Sequence, residues 1–226
     1  LKLKSKVIQK YGDPSVRQKA LTQLGSMPYP EATSVLLARF TINVEPQTTD
    51  TEEKEEVFEL ICAKKEAAVQ PVRDFLEKSD QASAWALRIL GKLLPESEVT
   101  DICTGLLQRI GPAYARDPQK KLVLLGHLEG KTSEAVATTV LPFLEDMLDD
   151  VKVAAAKLLG PLKYAPAREP LLRLLTDDET SNRVRTAVVA ALSASEFGVQ
   201  GFREKVEGRL QDPWFVDKAG LIKKRG

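Results

Sequence analysis

The stretch DPSVRQKALTQLG, residues 13–25, decides how the rest of the chain is read. Asp13 stands where a carboxylate can accept from the free N–H groups that open a helix. Pro14 at the first helical position has no N–H to lose. Val16, Ala20, Leu21, Leu24 and Gly25 then fall at i, i+4, i+5, i+8 and i+9, which makes one apolar stripe. Either this is one amphipathic helix among others, or it is the unit of a repeat.

Moving the same grid along the chain answers the question. Shifted by 135 residues it gives Val151, Ala155, Ala156, Leu159 and Gly160, and by 168 it gives Val184, Val188, Val189, Leu192 and Ser193. Shifted by 66 it gives Ala82, Ala86, Leu87, Leu90 and Gly91. The fit is weaker at 37, with Glu53, Val57, Phe58, Ile61 and Cys62, and at 104, with Lys120, Leu124, Leu125, Leu128 and Glu129. There the dipeptide Asp117-Pro118 still echoes Asp13-Pro14. Successive units are 37, 29, 38, 31 and 33 residues apart, and helical solenoid repeats recur at about 30–47 residues.

Each of these helices is followed by a second apolar one: PEATSVLLARFT, EAAVQPVRDFLEK, ESEVTDICTGLLQRI, SEAVATTVLPFLEDM, APAREPLLRLLTD and, more weakly, VQGFREKVEGRL. Alternating strand patterns are nearly absent. The pattern predicts one domain over residues 1–226, with twelve helices in six antiparallel pairs at about 13–42, 50–78, 79–111, 115–147, 149–177 and 181–211. In the tail, Trp214-Phe215-Val216, the turn Asp217-Lys218-Ala219-Gly220 and Leu221 to Arg225 predict a short hairpin over residues 212–226 that caps the stack.

The D-x-x-V-R-x-x-A-x-x-x-L pattern of Asp13, Val16, Arg17, Ala20 and Leu24, followed by a helix of the form A-x-x-P-L-L-x-L-L, resembles HEAT repeats. The match is inexact elsewhere, with Lys152 in place of the arginine in the fifth unit. The resemblance implies an all-α, right-handed α-solenoid whose second helices line a concave face.

Composition narrows the function classes. Apolar residues are 43% and charged residues 29%, and 33 basic against 32 acidic side chains give a net charge of +1. No global field draws the chain to nucleic acid or to a membrane surface, and no apolar run is long enough to span a bilayer. Cys62 and Cys103 form no disulfide framework or zinc spacing and point to a reducing, cytoplasmic setting. Because the chain opens on Leu1 rather than methionine, we expect it to be part of a longer protein, with other domains as possible partners.

Three stretches break the rhythm. TINVEPQTTDTEEKEE, around residues 41–56, reads as a solvated acidic connector whose glutamates favour the next helix N-terminus. RIGPAYARDP, residues 109–118, is a second long connection, from which Tyr114 is expected to fold back on the core. The basic run Lys223 to Arg225 reads as the end of the cap.

Reactive constellations are scarce. His127 is the one histidine, Trp85 reads as a packing residue, and neither phosphate-binding glycine loops nor a nucleophile elbow occurs. The carboxylate pairs Glu145-Asp146, Asp149-Asp150 and Asp177-Asp178 fall at helix junctions, where acids favour the next N-terminus. Among HEAT-like enzymes, the deoxyhypusine hydroxylases bind iron through several His–Glu pairs, which one histidine cannot supply. Helical-repeat DNA glycosylases use a strongly basic concave face, and here acids interleave with the arginines. Phycobilin lyases also carry such repeats, so a small-molecule groove is the alternative function. The leading expectation is a non-enzymatic module, without metal or cofactor, that presents its concave surface to a protein or peptide. Arg39, Arg73, Asp74, Arg109, Arg168 and Arg173 on the second helices are its candidate partner-binding residues.

Overall fold

The computed structural model describes residues 2–225. Leu1, on which the expectation of a longer parent chain rests, and Gly226, the last residue of the expected cap, lie outside the described residues. A short helix that the repeat grid does not contain, α1 (Lys2–Val7), comes first. The six expected pairs follow: α2 (Pro14–Gly25) with α3 (Pro30–Leu37), α4 (Gln47–Cys62) with α5 (Glu66–Lys78), and α6 (Ser83–Leu93) with α7 (Glu96–Ile110). Then come α8 (Gln119–His127) with α9 (Glu134–Val140), α10 (Asp149–Leu162) with α11 (Arg168–Thr176), and α12 (Asn182–Ser195) with the single-turn α13 (Arg203–Glu207). The protein is all-α apart from a terminal hairpin of β1 (Trp214–Val216) and β2 (Ile222–Lys224), antiparallel with Trp214 opposite Lys224.

Local chemistry sets these boundaries. The Asp13 carboxylate accepts from the Ser15 N–H at 2.9 Å, and the Ser133 and Ser181 hydroxyls accept from Val136 and Val184 N–H at the starts of α9 and α12. The helices gather into two compact units, Leu1–Val99 and Thr100–Gly226. In the first unit α2, α4 and α6 stack in succession and α3 packs on α5. In the second, α8, α10 and α12 stack in the same way and α11 packs on α12 and α13. First helices therefore pack on first helices within each unit, as a solenoid requires. Leu21, Leu36, Ile61 and Leu76 are fully enclosed in the first unit, as are Leu124, Leu159, Leu171 and Leu192 in the second.

The grid glycines have different reasons. A Cβ on Gly160 would sit 2.9 Å from the Ala191 Cα and 3.2 Å from its carbonyl oxygen, so α10 and α12 touch backbone to backbone there. A Cβ on Gly25 would meet only the tip of the Leu60 side chain, which can turn away. Gly160→Ala is therefore expected to destabilise by about 1–3 kcal/mol through forced separation of the helices. Gly25→Ala should change stability far less, and urea denaturation of the two variants makes the comparison.

Two connections differ from expectation. The acidic stretch at 41–56 is mostly helix, because α4 begins at Gln47, and two of its acids, Asp50 and Glu53, are buried rather than solvated. Tyr114 is 66% exposed and does not fold back on the core. The hairpin forms as expected and is tied down by the Val199 N–H donating to the Gly220 carbonyl at 2.9 Å and by the burial of Ile222.

Candidate functional site

The six residues expected to meet a partner stand in different surroundings. Arg39 is fully buried, and its guanidinium donates to Glu53 at 2.9 Å, to Asp50 at 2.8 Å and to the Ile42 carbonyl at 3.1 Å. It cannot reach an external partner, so its assignment is corrected to a core ion pair. It lies in the 3-10 turn Ala38–Thr41 that follows α3, against the two buried carboxylates of α4. Arg73 is half-buried and pairs with Glu98 at 3.3 Å. Asp74 accepts from Gln70 at 2.7 Å and from Lys78 at 3.4 Å, and the Gln70 hydrogen bond holds its carboxyl below the ordinary carboxylate value. Arg109 is exposed, and Arg173 is exposed with Glu169 as its neighbour one turn away at 2.5 Å. Arg168 is committed to structure, donating to the Gly198 carbonyl at 2.7 Å and to the Gln200 carbonyl at 2.6 Å, which anchors the loop after α12.

The charged residues that matter most to the interior sit one place after the first grid position. Arg17, Lys54 and Lys121 occupy this position in units one, two and four, and all three are buried. Arg17 makes a two-bond fork with Glu53 at 2.6 and 2.7 Å, and Lys54 donates to Asp50 at 2.6 Å and to Asn43 at 2.7 Å. Lys121 donates to Asp146, itself fully buried, and to the Ala113 carbonyl. Burial pushes the Asp50 and Glu53 carboxyls up, but the hydrogen bonds from Lys54 and Arg39, and from Arg17 and Arg39 respectively, outweigh it. Both end below the ordinary value.

In the sixth unit the equivalent residue is Arg185, and its surroundings differ. No carboxylate among the described residues pairs with it. Its Nη2 donates to the Asp177 and Asp178 carbonyls, each at 2.9 Å, and its Nη1 reaches Asn182 Oδ1 only at 3.4 Å. Its Nε–H is buried and has no acceptor. A buried donor left unpaired costs about 1–3 kcal/mol.

Arg185 lines a cleft of about 390 Å³. One wall is the α12 stripe Asn182, Arg185, Thr186 and Val189, at i, i+3, i+4 and i+7. The other is the run from Gly208 to Trp214 that leads out of α13 into β1. The remaining charges of the lining are already answered: Arg209 pairs with Asp178, and Asp212 pairs with Arg225 at 3.0 Å. The charge left over in the cleft is the Arg185 guanidinium.

The residues singled out as possible reactive groups lie outside this cleft. His127 is half-buried, burial pushes its imidazole pKa down, and its Nε2 has no partner. Trp85 stacks on Phe40 with ring centroids 4.8 Å apart and carries Arg88 over its face at 5.0 Å, which makes it a packing residue as expected. Cys103 is buried and its thiol is pushed up to about 12, so it carries no nucleophilic thiolate.

No protein-family model and no curated protein matches the chain. Among solved structures, that of human deoxyhypusine hydroxylase in complex with glycerol is similar, at 15% identity and a TM-score of 0.40, over 94% of this chain and 89% of that one. The likeness is one of helical fold. That structure is of an enzyme, where a non-enzymatic interaction module was expected here, and the scaffold reading is withdrawn. An iron centre of His–Glu pairs does not fit this chain. His127 is its one histidine, and among the described residues no three His, Cys, Asp or Glu side chains gather as metal ligands. No helix among them is long and apolar enough to cross a membrane.

Proposed function

We propose that this chain is a HEAT-like repeat protein that binds a small anionic molecule in the cleft between α12 and the run into the hairpin. The observation that carries the reading is Arg185: a guanidinium without a carboxylate partner, with a buried and unpaired Nε–H, lining a cleft of about 390 Å³. That volume lies in the range of small-molecule sites, which are about 300–1,000 Å³. A carboxylate or phosphate in the cleft would balance the guanidinium charge. Asn182 and Thr186, on the same stripe of α12, supply further polar groups to orient it. The two free thiols, Cys62 and Cys103, support a reducing compartment as its setting.

The test is isothermal titration of the protein with a panel of organic and inorganic acids, repeated on Arg185→Gln. At least one acid should bind saturably, and the substitution should weaken it by tenfold or more while leaving the far-ultraviolet circular dichroism unchanged. If the unaltered protein binds no acid in the panel, the reading fails.

A further inference from the structure

The apolar half of the same cleft says what the anion is attached to. We infer that the ligand is a small planar aromatic acid, its acid group on Arg185 and its ring against Trp214; this rests on the anion reading above. An inorganic anion or acetate would leave most of the cleft empty. At about 30 Å³ per water, a cleft of about 390 Å³ holds roughly a dozen waters. A ring acid of about ten heavy atoms displaces a large share of them.

The lining fits such a shape. Val189 on α12 and Leu210, Pro213 and Trp214 on the facing run make the apolar part, beside the polar Asn182, Arg185 and Thr186. Trp214 is half-buried and fixed by its setting. Its backbone N–H donates to the Gln211 carbonyl at 2.9 Å, its strand pairs it with Lys224, and the Lys224 ammonium lies 6.0 Å from its ring centroid. A half-buried indole has less side-chain freedom to lose than an exposed one when a flat ligand stacks on it, and aromatic pairs favour offset or edge-to-face contact beyond the area they bury. Arg185 and Trp214 thus divide recognition between charge and shape.

The experiment titrates the full chain with benzoate, indole-3-acetate, acetate and inorganic phosphate. It is repeated on Trp214→Leu and on Trp214→Phe, which keeps an aromatic ring. The ring acids should bind at least tenfold more tightly than acetate or phosphate. Trp214→Leu should remove that advantage, and Trp214→Phe should retain most of it. If acetate or phosphate binds as tightly as the ring acids and Arg185→Gln abolishes binding, the ring inference is overturned and the anion reading stands. Binding of none of the four overturns the ring inference, and the anion reading fails with it when the wider panel of acids does not bind either. A ring-acid preference that survives in Trp214→Leu also overturns the inference, since the ring would then be recognised elsewhere.

Discussion

Glu53→Gln is expected to destabilise the first unit by about 3–5 kcal/mol, the cost of breaking a buried ion pair on one side. Glu53 accepts from Arg17 through both carboxylate oxygens and from Arg39 at 2.9 Å, and all three side chains are less than a tenth exposed. Glutamine keeps the shape but offers one acceptor and turns an N–H₂ toward two guanidinium groups. Asp50, shared with Lys54, then remains as the carboxylate for three buried cations. The network also sets a pH dependence. The folded-state pKa values of Asp50 and Glu53 lie below their ordinary values. The stability they contribute is therefore fully present above about pH 5 and is lost as pH falls through about 4 and below. Urea denaturation at neutral and at acid pH checks both parts. The variant should be less stable at neutral pH and should lose less on acidification. A loss under about 1 kcal/mol at neutral pH would show that Arg17 and Arg39 are well served without Glu53.

The pairs of helices and the terminal hairpin were legible because their causes are local. A stripe at i, i+4 and i+8, a cap such as Asp13 or Ser181, and a turn such as Asp217-Lys218-Ala219-Gly220 each need only neighbouring residues. The interior charges were not legible. Arg17 and Glu53 are 36 residues apart, and a cation beside an apolar stripe gives no sign in sequence of a carboxylate on the next repeat. The acids of α4 read as solvent-facing for the same reason. Arg39 was misplaced because its carboxylate partners, Asp50 and Glu53, lie 11 and 14 residues further on, in the next helix.

The cleft was hidden by a correct reading. Recognising residues 212–226 as a cap assigned them to packing, and nothing in that assignment brings Gly208 to Trp214 against the outer stripe of α12. The signal that could have found it was in the grid. Arg185 stands at the position of Arg17 and Lys121, yet the run Asp177-Asp178 that a sequence would offer as its partner meets it through carbonyls. The Asp178 carboxylate goes to Arg209 instead. A site that depends on which atom of an aspartate faces a guanidinium is visible only in three dimensions.

The same grid position gives the other large effect. Lys121 is 2% exposed and Asp146 not at all, and their charges meet at 2.5 Å in the interior of the second unit. Lys121→Met should cost about 3–5 kcal/mol, because the Asp146 carboxylate is left buried with one remaining donor, the Leu148 N–H at 3.0 Å. Asp146→Leu should cost a similar amount, since the ammonium keeps only the Ala113 carbonyl. The double variant Lys121→Met, Asp146→Leu should be more stable than either single one and fall within about 1–2 kcal/mol of the unaltered protein. What it still lacks are the hydrogen bonds of the Leu148 N–H and the Ala113 carbonyl, each worth about 1 kcal/mol. A double-mutant cycle by urea denaturation measures the coupling. Additive losses would mean that the two charges are stabilised separately by the backbone around them. Strong coupling, with the apolar pair nearly restoring stability, would mean that the pair offsets its own desolvation and adds little net stability.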